Sequence, residues 1–130
     1  MIRRLLIGVL CCLPAPALAC SLDDAERIRS DDGVTLWYRL KAPPLPLAQH
    51  FTLQFRACRG EQLLAVEDFE LDATMPAHQH GMNYHASVHQ LADGLIEARG
   101  LLFHMPGHWE VVVEFDHAGA KQRFSLDFQL

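Results

Sequence analysis

Three features of the chain predict an all-β fold, an immunoglobulin-like antiparallel β-sandwich of about seven strands. Apolar and polar residues alternate in short runs, turn-forming residues separate those runs, and no stretch sustains the 3.6-residue period of an amphipathic helix. A chain of 130 residues, half of them hydrophobic, supplies one core and is too short for two.

The order of elements begins with an address rather than a strand. Arg3 and Arg4 make a basic start, Leu5 to Leu13 an apolar run, and Ala17-Leu18-Ala19 a small-x-small cleavage site before Cys20. Residues 1–19 are expected to be a signal peptide, and residues 20–130 the exported domain. The apolar run is too short to span a bilayer, and no later segment reaches the required length. A periplasmic or secreted protein, with no transmembrane helix after cleavage, is the expectation.

Residues Leu22 to Arg29 are expected to make one short helical turn. Thereafter the period is two. Val34, Leu36 and Tyr38 alternate with Thr35, Trp37 and Arg39, and Phe51, Leu53, Phe55 and Ala57 with Thr52, Gln54 and Arg56. The pattern returns at Phe69, Leu71 and Ala73, at Tyr84, Ala86 and Val88, and at Ile96, Ala98 and Leu102. It is clearest in Trp109, Val111, Val113 and Phe115, then in Phe124, Leu126 and Phe128. Turn signals fall at Pro43-Pro44-Leu45-Pro46, Arg59-Gly60, His80-Gly81, Asp93-Gly94, Pro106-Gly107 and Ala118-Gly119.

Charge narrows the function. Removing residues 1–19 takes away Arg3 and Arg4 and leaves nine basic against sixteen acidic side chains, a formal charge of −7 with neutral histidines. A surface so acidic disfavours nucleic acid, whose affinity comes mainly from phosphate contacts, and mildly attracts cations. Two cysteines remain, Cys20 and Cys58. In an oxidising compartment a disulfide between them is expected, closing a loop whose chain entropy is worth about 4 kcal/mol. The alternative makes Cys20 a lipidated first residue, although the position three residues earlier is Ala17 rather than the usual Leu, and Cys58 would be left unpaired.

The chemistry is concentrated in one stretch. Between Met75 and Trp109 lie six of the eight histidines (His78, His80, His85, His89, His104 and His108) and the three methionines beyond Met1, namely Met75, Met82 and Met105. His78 and His80, two apart, share a face of an extended segment with Cα atoms about 7 Å apart, so both rings can reach one ion. His85 and His89 share a face too, but roughly 13 Å of strand separates them. His104 and His108 flank a Met-Pro-Gly turn able to fold them toward each other. Each residue also has a purely structural role to weigh. Met75 and Met105 precede prolines and suit core filling as well as ligation, Trp109 suits a core anchor, and Gly81 and Gly107 suit turns.

The ligand types set the order of metals. Thioether and imidazole together suit copper, whereas zinc is content with imidazole and carboxylate. The candidate ligands are His78, His80 and Met82, with help from His104, Met105 or Met75; copper leads and zinc follows.

These same residues carry a family resemblance. The run Asp72-Ala-Thr-Met-Pro-Ala-His-Gln-His-Gly-Met-Asn-Tyr84, then Asp93-Gly94, then Gly100-Leu-Leu-Phe-His-Met-Pro-Gly-His-Trp-Glu-Val-Val-Val113, resembles the YtkA-like domain, which is related to FixH-type proteins. The resemblance covers roughly His50 to Phe128 and is specific in the two Met-Pro loops. It implies a small immunoglobulin-like sandwich outside the cytoplasm, linked with copper handling or respiratory-oxidase assembly. The family's loops map onto Met75, His78, His80, Gly81 and Met82, and onto Met105, Pro106, Gly107 and Trp109. FixH-type proteins keep a membrane helix that this chain lacks beyond its leader, which argues against a membrane-complex role.

Three function classes follow. The first is a copper carrier or buffer in the periplasm. The second is a non-enzymatic accessory module that docks on a periplasmic or membrane protein, its Met-Pro loops serving only the fold. The third, a copper enzyme, is disfavoured: a chain starting at Cys20 cannot form the amine-plus-imidazole brace of the polysaccharide monooxygenases, and there is no nucleophile elbow, phosphate loop or HExxH motif.

Overall fold

A computed structural model describes residues 20–130; the expected signal peptide lies outside the described residues. Among the described residues ten strands are present: β1 (Glu26–Arg29), β2 (Val34–Leu40), β3 (Phe51–Arg59), β4 (Gln62–Leu63), β5 (Glu67–Met75), β6 (His80–Gly81), β7 (Ser87–Gln90), β8 (Ile96–Leu101), β9 (His108–His117) and β10 (Ala120–Gln129). They form two antiparallel sheets, one ordered β1-β2-β3-β8-β7 with β4 on β3, the other β10-β9-β5-β6. Without the short strands β1, β4 and β6, the seven that remain have the two-sheet arrangement of an immunoglobulin constant-type sandwich.

Alternation in the sequence becomes burial in the sandwich. Val34, Leu36, Leu53, Phe55, Ala98 and Leu101 face inward from the first sheet, and Ala73, Val111, Val113, Phe115, Phe124 and Leu126 from the second, all nearly or fully buried. Trp109 has no exposed surface and stacks on Phe103 with ring centroids 4.6 Å apart. The predicted strands appear with two adjustments. The segment from Tyr84 pairs only from Ser87 onward, leaving Tyr84 exposed. His80-Gly81 is not a turn but pairs with Thr74 and Met75.

The expected helical turn at Leu22 to Arg29 does not form. The chain turns at Asp23 and Asp24, and Glu26–Arg29 adds to β2 as an edge strand. Pairing with β2 satisfies the backbone there, while Ile28 turns onto the core and Arg27 lies 5.3 Å over the Trp37 ring. A four-residue segment has too little local helix propensity to resist such pairing.

Cys20 and Cys58 are disulfide-bonded, with Cα atoms 6.0 Å apart. The bond fastens the start of the described chain across the outer face of the first sheet, where Arg39 donates to the Asp23 carbonyl and Arg56 to the Ser21 carbonyl. Among the described residues no helix is long and apolar enough to cross a membrane.

Candidate metal centre

The first Met-Pro loop builds its half of the site at the end of β5. Pro76 opens a single 3-10 turn, Pro76–His78, because its fixed φ suits the first helical position. Gln79 then adopts a left-handed conformation, φ 51° and ψ 35°, which reverses the chain. His80 is thereby returned onto Met75 as the start of β6, and the Met82 amide donates to the Ala73 carbonyl at 2.9 Å. Gly81 is needed for proximity rather than for a turn, since a Cβ there would stand 3.3 Å from the Ala73 oxygen. His78 and His80 do come together, with ring centroids 5.7 Å apart, but through a tight turn and not along the extended segment expected.

The second loop supplies a third imidazole. His104 leaves the end of β8 and its ring stacks on His80 at 5.2 Å, the planes inclined by 28°. Trp109 forms the floor, its ring 5.3 Å from His104 and 6.4 Å from His80, in edge contacts. The indole is itself fixed, because Nε1 donates to the Met105 carbonyl at 3.0 Å. The three imidazoles thus form a row, His78 exposed and His80 and His104 half-buried. Two ring nitrogens in that row, Nε2 of His80 and Nδ1 of His104, are buried without a hydrogen-bond partner. Buried polar atoms are almost always paired, so two orphans side by side mark a place that favours a ligand.

The methionines take structural positions. Met75 is buried to 1% exposure in the core, with its terminal methyl beside Gly107. Met82 and Met105 are half-buried against the same core, and the Met82 sulfur accepts the Leu102 amide at 3.2 Å. His108 does not fold toward His104; it meets Asp127 on β10 at 2.6 Å. His89 lies on β7 opposite Glu97 and contacts the Ser87 hydroxyl, and His85 is exposed in the loop before it.

The row is stacked and does not converge. Among the described residues no group of three or more His, Cys, Asp or Glu side chains is arranged to hold a metal ion. His78, exposed on its turn, is the least confined of the three rings.

One charged group escaped the reading of the sequence. Glu97, 2% exposed on the outer face of the first sheet, takes Lys41 Nζ at 2.9 Å, Gln54 Nε2 at 2.9 Å and Arg99 at 2.7 Å. The Lys41 hydrogen bond, followed by those of Gln54 and Arg99, outweighs burial and holds its carboxyl at about 2, well below the ordinary value. The only signal was its place between Ile96 and Ala98 in a run that is otherwise apolar.

No family model matches the chain, and no curated protein matches it in sequence. Among solved structures it is similar to the crystal structure of a DUF4426 family protein from Pseudomonas aeruginosa, at 7% identity and a TM-score of 0.61, over 82% of this chain and 94% of that one. At that identity the likeness shows the fold alone, a small β-sandwich, and does not extend to the YtkA-like membership suggested by the loops.

Proposed function

We propose that this domain is an exported, non-enzymatic metal-binding protein, a carrier or buffer of copper in the first place and of zinc in the second, whose ligands are His78, His80 and His104. The observation that carries the reading is the pair of buried, unpartnered ring nitrogens on His80 and His104, within a row of three imidazoles spaced 5.7 and 5.2 Å. Neutral imidazole is a ligand for both oxidation states of copper and for zinc, and an ion would satisfy nitrogens that are otherwise orphaned. Met82, two residues after His80, and Met105, next to His104, are the thioethers that would bias the site toward copper(I), although the Met82 sulfur first has to release the Leu102 amide. The same two Met-Pro loops carry the YtkA-like resemblance, which implies a link with copper handling. The leader-like residues 1–19 and the disulfide fit an oxidising compartment, the periplasm or beyond.

Titration of the protein with copper(I), copper(II) and zinc(II) in one buffer, against chelators of known affinity, tests the proposal. His78→Ala with His80→Ala is expected to abolish high-affinity uptake, and His89→Ala to leave it intact. Wild-type protein that takes up neither metal above background, or a double variant that binds as wild type, would defeat it.

A second reading is favoured by the methionines. Met75 lies in the core and the Met82 sulfur holds a backbone amide, while the Met105 carbonyl fixes the Trp109 indole, so both loops serve the fold. On that reading the domain is an accessory module, and its sandwich docks on a periplasmic or membrane protein.

A further inference from the structure

Besides the two-residue β4, four strand edges border the two sheets among the described residues, and they differ. β1 and β7, the edges of the first sheet, have four residues each. The β5 side of the second sheet is capped at one end by β6 and broken at the other by a bulge between Glu67 and Glu70, where Asp68 has φ 49°. The remaining edge, β10, has ten residues in unbroken register with β9 and pairs with no other strand among the described residues. Short strands and bulges are how proteins blunt an edge; a long regular edge invites another strand.

The hydrogen-bonding phase of that edge is known. Leu130 and Gly107 exchange both backbone bonds, each at 3.1 Å. Hydrogen-bonded pairs recur at every second residue of an antiparallel ladder, so Phe128, Leu126, Phe124 and Gln122 face β9 with their amides and carbonyls. Lys121, Arg123, Ser125, Asp127 and Gln129 turn theirs outward. Those same five side chains lie on the outer face of the sheet, while Gln122, Phe124 and Leu126 are buried within.

We propose that β10 pairs antiparallel with β10 of a second copy of this chain about a two-fold axis at Ser125, joining the two four-stranded sheets into one. The outward groups admit a ladder in which Ser125 faces Ser125, Lys121 faces Gln129, and Arg123 faces Asp127. The sequence of the edge is therefore self-complementary in charge: the axis generates the Arg123 to Asp127 pair twice, and like charges nowhere stand opposite. This register also overlaps the whole strand from Ala120 to Leu130. Glu114, which pairs with Arg123, extends each contact to a third charge of alternating sign on β9. An isologous contact closes on itself, so the product is a dimer and not a fibre.

Sedimentation of residues 20–130 over a concentration series, with hydrogen exchange of the β10 amides, tests this. A concentration-dependent dimer is expected, in which the Ser125 and Asp127 amides slow as the dimer forms. Ser125→Pro deletes an outward amide that β9 does not use and is expected to give a folded monomer. Arg123→Asp and Asp127→Arg, acting twice each, are expected to weaken the dimer by at least about tenfold, and the double exchange to restore it. A wild-type protein that stays monomeric at every concentration overturns the proposal. So does a dimer indifferent to both the proline and the charge reversals. Should Ser125→Pro lose its fold, judged by circular dichroism, the charge exchange decides alone.

Discussion

The His80 and His104 rings stack 5.2 Å apart, although one lies on a two-residue strand after β5 and the other beyond the end of β8. Their apposition makes His104, and not His108, the third member of the row. His104→Ala is expected to weaken metal binding at least as much as His78→Ala, whereas His108→Ala, which removes only the contact with Asp127, should leave affinity unchanged. Competition titrations of the three variants check this, and an effect confined to His108→Ala would contradict the row. Binding should also fall in acid, because protonated imidazole cannot ligate.

Trp109 is fully buried and packed face to face on Phe103. Trp109→Ala should cost about 3–5 kcal/mol, since removing the indole leaves a cavity between the sheets. A denaturant midpoint close to wild type would show that the ring contributes little to the core. Trp109→Phe should recover part of the loss while deleting the hydrogen bond to the Met105 carbonyl.

Glu97 links folding to acid. Its carboxyl is held at about 2 in the folded protein against an unfolded value of about 4.3, so the ionised form is stabilised by folding. That contribution is fully present above the unfolded value and is lost as pH falls toward 2. Glu97→Gln should cost about 1–3 kcal/mol at neutral pH, and the gap from wild type should close between about pH 4 and 2. Urea unfolding at pH 7 and pH 2.5 checks it; an equal penalty at both would remove the linkage.

The disulfide closes a loop with a sequence separation of 38. Cys58→Ala or reduction should lower stability by about 2–4 kcal/mol. It should also loosen the segment from Cys20 to Asp24, read as faster amide exchange there. Intact mass of the protein discriminates the two fates of Cys20: two hydrogens fewer than the thiols for the disulfide, or the added mass of a diacylglycerol for lipidation.

Alternation alone settled the sandwich. In Val34 to Tyr38, Phe51 to Ala57 and Trp109 to Phe115 the period of two assigns the apolar side chains to the core and their neighbours to the outer face, because a slip of one residue would invert the whole face. The same local reading failed at Glu26–Arg29 and His80–Gly81, short segments that become strands only because a neighbouring strand offers its backbone. The metal candidates divide in the same way. His78 and His80 were legible as a pair from spacing, while the meeting of His80 with His104, the burial of Met75 and the capture of His108 by Asp127 depend on which strands lie side by side. Strand order is fixed by packing two faces against each other across the core, a long-range choice that no local spacing encodes.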